Sequence, residues 1–177
     1  MEKQWEPVKL LRHARHDWLN QIQLIKANLS LNRVERAQEI IEEITAQSRN
    51  DSKLTNLQMP HITEMLLTFN WQAHFYRLET EVIGREHDLS DEEDKLFPWL
   101  ADLLQQLDRC ADPGVDNHVL VSFRLGDHGV FVTVDFSGAV KDPRALAEGS
   151  FLHKGFEIIE HYAGNDAFVL TIKIGSR

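Results

Sequence analysis

The sequence predicts an α+β chain in two parts, a helical hairpin over residues 1–58 and an α/β domain over residues 59–177. After Pro7 apolar residues recur at helical spacing, free of Gly and Pro, to about Leu29, and again from Val34 to Ser48. Met59-Pro60-His61 breaks that pattern. Beyond it, Val119-Leu120-Val121-Ser122-Phe123-Arg124-Leu125 and Val130-Phe131-Val132-Thr133-Val134-Asp135-Phe136 alternate in the manner of strands.

In the first helix Pro7 fits the first turn, where its missing N–H is no loss, and Leu11, Trp18, Ile22, Ile25 and Leu29 fall in one narrow stripe with Ala14 at its margin. The stripe is expected to be buried. On the same wheel His16 points about 155° and Asn20 about 165° from the stripe centre, with Arg12 one turn before His16. Arg12, His16 and Asn20 therefore form an exposed row. Residues 28–32 connect the helices, and Asn32 followed by Glu35 resembles a capping box for a second helix beginning near Arg33. Val34, Ala37, Ile41, Ile44 and Ser48 give that helix an inner face; Glu35, Arg36, Glu39, Glu42 and Glu43 face solvent. It ends between Arg49 and Leu57. Leu10, Leu24, Leu31 and Ile40 widen the apolar surface beyond what one neighbour covers, which predicts that two hairpins pair as a homodimeric four-helix bundle. The alternative is that the C-terminal domain covers this surface within one chain.

In the second part Ile62, Met65, Leu66, Phe69 and Phe75 predict a helix, and Glu79 to Ile83 a strand ending at Gly84. Ser90-Asp91-Glu92-Glu93 reads as a capping box before a helix carrying Leu96, Leu100, Leu103, Leu104 and Leu107, stopped by Asp112-Pro113-Gly114. The two alternating runs join through Gly126-Asp127-His128-Gly129 as a β-hairpin. Asp142-Pro143 opens a short helix, a further helix is expected from Lys154 to Tyr162, and Phe168 to Ile174 is a final strand. The domain is expected to hold an antiparallel sheet with helices on one face.

Composition narrows the function. A formal net charge of −9 with no long basic run argues against nucleic acid and anionic membranes as partners. Cys110 is the one cysteine, which excludes a disulfide framework and a thiolate metal cluster and suits a reducing cytosol. No long apolar run and no signal peptide stands at Met1-Glu2-Lys3-Gln4-Trp5, so a cytoplasmic protein is expected.

Arg15-His16-Asp17-Trp18-Leu19-Asn20 places an exposed imidazole beside an acid and one turn before an amide. A neutral histidine is a competent nucleophile at cellular pH and needs no strong base. Asp17 either orients the ring or sets the charge of the helix surface; Asn20 either bonds the ring or a phosphoryl group or is a polar surface residue. Arg12 and Arg15 either offset phosphate charge or are solvated. His13 and His16 with Asp17 lack a third fixed metal ligand and read as surface. His61, His74, His87, His118, His128, His153 and His161 have no ligand spacing, and Trp18 and Trp71 read as core.

His16-Asp17-x-x-Asn20 resembles the phosphoacceptor box of two-component histidine kinases, in the Arg-His-Asp variant of citrate-sensor-type kinases and of the sporulation initiation phosphotransferase B family. The stretch Arg15 to Leu31, Ser52-Lys53-Leu54-Thr55-Asn56-Leu57 and Leu67-Thr68-Phe69-Asn70-Trp71 resemble the latter family in order. The resemblance implies a dimeric phosphotransferase of a two-component phosphorelay in which His16 becomes phosphohistidine. The phosphoryl group comes from the aspartate of a single-domain response regulator and passes to the aspartate of the sporulation transcription regulator. It also implies a C-terminal domain similar to a kinase ATP-binding domain without an intact ATP site. Leu100 to Ala111 offers Asp102, Gln105 and Gln106 in place of an Asn-rich Mg²⁺ helix. Asp135-Phe136-Ser137-Gly138-Ala139 has Ser137 and Ala139 where an adenine turn has glycines, and the lid region from Gly149 to Gly155 has no closely spaced glycines. On this reading the chain binds no cofactor, and Mg²⁺ comes from the regulator. The competing readings are an ATP-dependent sensor histidine kinase core and a non-catalytic dimer that binds a response regulator.

Overall fold

The computed structural model describes residues 7–127, 129–153 and 155–175, with the backbone alone at His153. His128, Lys154 and the first six residues, including the stretch read for a signal peptide, lie outside the described residues. The chain forms two compact units, one up to Arg49 and one from Asn50.

The first unit holds α1 (Pro7–Ser30) and most of α2 (Val34–Asn56). Asn32 does not open α2 but closes α1. Its φ of 56° is left-handed, its N–H donates to the Leu29 carbonyl at 3.0 Å, and the Arg33 N–H donates to Asn28 at 2.9 Å. This paired reverse bonding satisfies the last carbonyls of α1 and turns the chain. Arg36 on α2 bonds Glu39 at 2.8 Å and Glu43 at 3.2 Å, a solvated charge network on the predicted outer face.

The second unit begins with the last turns of α2, and Leu54 there and Leu57 just beyond the helix are fully buried in its core. Its compact boundary thus precedes the sequence break at Met59-Pro60. There follow α3 (Pro60–Thr68), a 3-10 turn (Phe69–Trp71), β1 (Arg77–Ile83), α4 (Ser90–Cys110), β2 (His118–Gly126), β3 (Gly129–Ser137), α5 (Pro143–Ala147), a 3-10 turn (Ser150–His153), β4 (Glu157–Ala163) and β5 (Ala167–Ile174). The five strands form one sheet in the order β1-β2-β3-β5-β4. Val119, Val121, Phe123 and Leu125 of β2, with the matching alternate residues of β3 and β5, form its buried face. Leu96, Leu100, Leu103, Leu104 and Leu107 of α4 are buried in the same core.

The sheet is mixed rather than antiparallel, because β1 runs parallel to β2. The long helix α4 lies between them in sequence and supplies the crossover that a parallel pair requires. A second correction concerns residues 154–162, expected as a helix. Glu157–Ala163 is strand β4, paired antiparallel to β5 with an irregularity between Ile158 and Glu160. Adjacent Ile158 and Ile159 and the following Tyr162 favour extended backbone, and β5 offers an edge to pair with. Phe75, expected in the third helix, lies beyond it and is half-exposed.

Several polar side chains act at a distance from their own elements. Glu93 does not complete a box with Ser90. Its Oε1 accepts from the His61 and Ile62 N–H groups at 2.7 and 3.1 Å, capping α3, where Pro60 fills the first turn. Asp88 Oδ1 instead accepts from the Ser90 N–H at 2.8 Å, and the Ser90 side chain first and this N–H second hold its carboxyl below the usual value. Asp142 caps α5 as expected, accepting from Ala145 N–H at 3.1 Å.

The free edge of β1 is closed by amides. Asn70 donates to the Leu78 carbonyl at 2.7 Å and accepts from the Leu78 N–H at 3.0 Å. Asn50 donates to the Thr80 carbonyl at 2.7 Å and accepts from the Val82 N–H at 2.9 Å, as a neighbouring strand would.

Candidate phosphotransfer site

On α1 the least exposed residues are Leu10, His13, Ala14, Gln21, Ile25 and Asn28; on α2 before Asn50 they are Ala37, Ile40 and Ile44. They trace the sides on which the two helices cover each other. The apolar stripe expected to be buried lies beside that seam rather than in it. Leu11 is 69%, Trp18 57%, Ile22 53% and Leu29 51% exposed. One neighbouring helix covers only the margin of a stripe this wide, so within one chain Trp18 stays exposed.

His16 stands on the other side of α1, its side chain 72% exposed. The Asn20 amide nitrogen lies 3.1 Å from His16 Nδ1, and Asp17 Oδ1 lies 3.7 Å from the same atom. With the amide nitrogen toward the ring, Asn20 donates to an unprotonated Nδ1. With the amide turned over, its carbonyl accepts from Nδ1–H. Both arrangements fix the rotation of the imidazole and leave Nε2 on the far side of the ring from Asn20. Asn20 makes this contact because four residues put it one turn on along the same face.

Arg12 and Arg15 are exposed on α1, Arg12 one turn before His16. Sequence reasoning gave His13 no role beyond surface. Its Nδ1–H donates to the Lys9 carbonyl at 3.0 Å and the residue is half-buried. Among the described residues no group of three or more His, Cys, Asp or Glu side chains is placed to hold a metal ion. His61 bonds Glu93 and His74 bonds Asp108, each at 3.2 Å. Asp108 also accepts from the Phe75 N–H at 2.8 Å, which gives that pair a structural use.

The segments aligned with a kinase nucleotide site do not fit a nucleotide with Mg²⁺. Asp102, which stands on α4 in the stretch aligned with the Asn-rich helix, accepts from the Ser150 hydroxyl at 2.8 Å. The Phe151 carbonyl accepts from Trp99 Nε1 at 3.1 Å, and the Phe151 ring is 2% exposed, edge-on to Phe168. The segment expected as a lid is thus fastened into the core. At the adenine turn the Ala139 N–H donates to Asn117 Oδ1 at 2.9 Å and its carbonyl accepts from Asp112 N–H at 2.9 Å. Gly138, at φ 145°, faces Asn117 so closely that a Cβ there would lie 2.1 Å from Oδ1. These backbone groups serve the fold.

The fold is that of histidine kinase catalytic domains. The catalytic domain of histidine kinase ThkA, nucleotide-free, superposes with a TM-score of 0.50 at 13% identity, covering 67% of this chain and 91% of that one. The Acinetobacter baumannii histidine kinase AdeS gives a TM-score of 0.48 at 12% identity over 90% of this chain and 97% of that one. The sequence comparisons then fix the class within that fold. Residues 1–57 match the model of the alpha-helical domain of the SpoOB-type sensor kinase, and residues 58–161 match that of the C-terminal part of sporulation initiation phosphotransferase B. Sporulation initiation phosphotransferase B of Bacillus subtilis (strain 168) is 39% identical over 157 residues, covering 88% of this chain and 81% of that protein. The chain belongs to the sporulation initiation phosphotransferase B family and is a phosphotransferase. Among the described residues no helix is long and apolar enough to cross a membrane.

Proposed function

We propose that His16 carries a phosphoryl group between the aspartates of two response regulators in the control of sporulation initiation. The observation that carries this reading is an imidazole 72% exposed on α1 whose rotation is fixed by Asn20 at 3.1 Å. The single-domain response regulator is the donor and the sporulation transcription regulator the acceptor. An imidazole lone pair attacks phosphorus in line, the P–O bond to the donor carboxylate breaks, and the carboxylate leaves with the bonding pair. The acceptor's carboxylate then attacks the same phosphorus and restores the imidazole. Alignment does most of the work, because charge in such a transition state gathers on the equatorial oxygens rather than on the nucleophile.

With the Asn20 carbonyl turned toward Nδ1–H, Nε2 holds the lone pair and Asn20 fixes its direction. Asp17, 3.7 Å from Nδ1, stabilises the positive charge the ring gains on phosphorylation. Arg12 and Arg15 meet the charge of the incoming phosphoryl group. The chain binds no cofactor of its own, and Mg²⁺ belongs to the regulator's acidic pocket.

The working form is a homodimer in which the exposed stripes of two hairpins pair as a four-helix bundle. Residues 1–58 serve dimerisation and transfer, and residues 59–177 are the kinase-like domain without nucleotide. The cell compartment is the cytoplasm, with neither nucleic acid nor membrane as partner. The engaged Asp102 and the buried Phe151 argue against the ATP-dependent kinase reading.

The test is reconstitution. Radiolabelled phosphate on a single-domain donor regulator should reach a second regulator only when this chain is added, and should not when His16→Gln replaces it. Unchanged flow through H16Q would leave a non-catalytic binding dimer as the better reading.

A further inference from the structure

In the second unit a cavity of about 690 Å³ opens where the start of α4, the β2–β3 turn, the start of β4 and the end of β5 meet. It is separate from the segments aligned with a kinase nucleotide site. The cavity lies at Gly129, where β3 begins, and the adenine turn lies at the other end of that strand, roughly 25–30 Å away. Its volume suits a small ligand. Helix α4 supplies Asp91, Glu92 and Lys95 to its lining, and the sheet supplies Glu157 and Lys173, which are register partners on β4 and β5. Fully exposed charges are ordinarily solvated and assign nothing. Glu92 and Lys173 differ: both are half-buried, and among the described residues neither forms an ion pair or a side-chain hydrogen bond. Other partly buried acids of this unit are met across elements, Glu93 by the His61 N–H and Asp108 by the Phe75 N–H. The Lys173 stem passes over Gly129, where a Cβ would stand 2.8 Å from its Cε, and Glu92 Oε1 lies 3.9 Å from the place of a Cβ on Gly175. The two charges thus approach the end of β5 and do not pair with each other.

We infer that this cavity binds a small zwitterion with an apolar body, an α-amino acid or a dipeptide, its ammonium on Glu92 and its carboxylate on Lys173. Half-desolvated charges of opposite sign that do not meet are each satisfied by one end of such a molecule. Phe156, whose ring stands edge-on to Trp99 at 5.6 Å between centroids, and Ile174 supply an apolar wall for its body. A metal ion does not fit, because among the described residues no three His, Cys, Asp or Glu side chains are placed to hold one. A simple anion would meet Asp91, Glu92 and Glu157 as well as the lysines. Binding there is independent of phosphate on His16.

The test is isothermal titration calorimetry of the whole chain with three probes: leucine, leucyl-leucine, and N-acetyl-leucyl-leucinamide, which lacks both charges. Saturable heat is expected with leucine or leucyl-leucine and none with the capped peptide. The tighter of the first two tells a free amino acid from a peptide as the ligand. Glu92→Gln and Lys173→Met should each weaken binding about tenfold or more, and Lys173→Arg should keep it. No saturable heat from either zwitterion up to about 10 mM would overturn the assignment. Equal binding of the capped peptide would also overturn it, as would an unchanged affinity in both E92Q and K173M. The capped-peptide comparison needs only the wild-type chain, so it decides even where a variant does not fold.

Discussion

Replacing Ile22 with aspartate should separate the protomers of the proposed dimer without touching the face that bears His16. Ile22 is 53% exposed in the single chain and lies in the stripe with Leu11, Trp18 and Leu29. Covering that half of an isoleucine contributes about 0.8–1.6 kcal/mol. A two-fold interface counts the residue twice. The loss is then about 2–3 kcal/mol per dimer, a rise in Kd of about thirty- to 150-fold. Two carboxylates facing an apolar seam add to this, so the figure is a lower bound. Sedimentation velocity over a dilution series reads the Kd directly, and circular dichroism reports whether the hairpin keeps its helices. A wild-type chain that sediments as a monomer at all concentrations would refute the reasoning, as would an I22D chain with the wild-type Kd.

Three further outcomes are expected. Incubation with labelled ATP alone should leave no phosphate on His16, and titration with a fluorescent ATP analogue should show no saturable binding; either signal would revive the kinase reading. Asn50→Ala removes the amide that accepts from Val82 N–H and donates to Thr80, and should destabilise the second unit by about 2–3 kcal/mol in urea unfolding of the whole chain. A change within error would mean water replaces the amide at the β1 edge. Burial raises the Cys110 thiol and the Tyr76 phenol above their ordinary values of 9.0 and 10.0, with Asp142 and Asp108 respectively adding to the effect. The folded chain keeps these protons at a pH where the unfolded chain releases them. Stability from these groups is therefore level below about pH 9 and falls as pH rises further. Urea midpoints from pH 7 to 10.5 should show that decline, and Cys110→Ala should make it shallower.

Helical phase alone was enough to place His16, Asn20 and Arg12 outward on α1, because an i, i+4 pair on one face is a local property of the chain. The α4 and β2–β3 patterns were equally legible, since their apolar residues face one core within the chain. Trp18 is exposed in the single chain because an apolar stripe announces burial without saying against what, and α2 covers only its margin. Asn32 and Glu93 each matched a local capping pattern, but backbone geometry at the α1 turn and the open N-terminus of α3 claimed them instead. β4 was misread because its sequence supports a helix or a strand, and the choice is made by the free edge of β5. The amides of Asn50, Asn70 and Asn117 left no sequence signal. Each bonds backbone groups brought close only by the fold.

The most direct measurement of the central claim is to map the phosphate. A labelled single-domain regulator is mixed with this chain, the products are digested under alkaline conditions, and the phosphopeptide is sequenced. The account predicts one acid-labile, base-stable phosphate on the peptide that contains His16, lost in H16Q. Label on another residue, or a chain that binds the regulator and takes no phosphate, would contradict it.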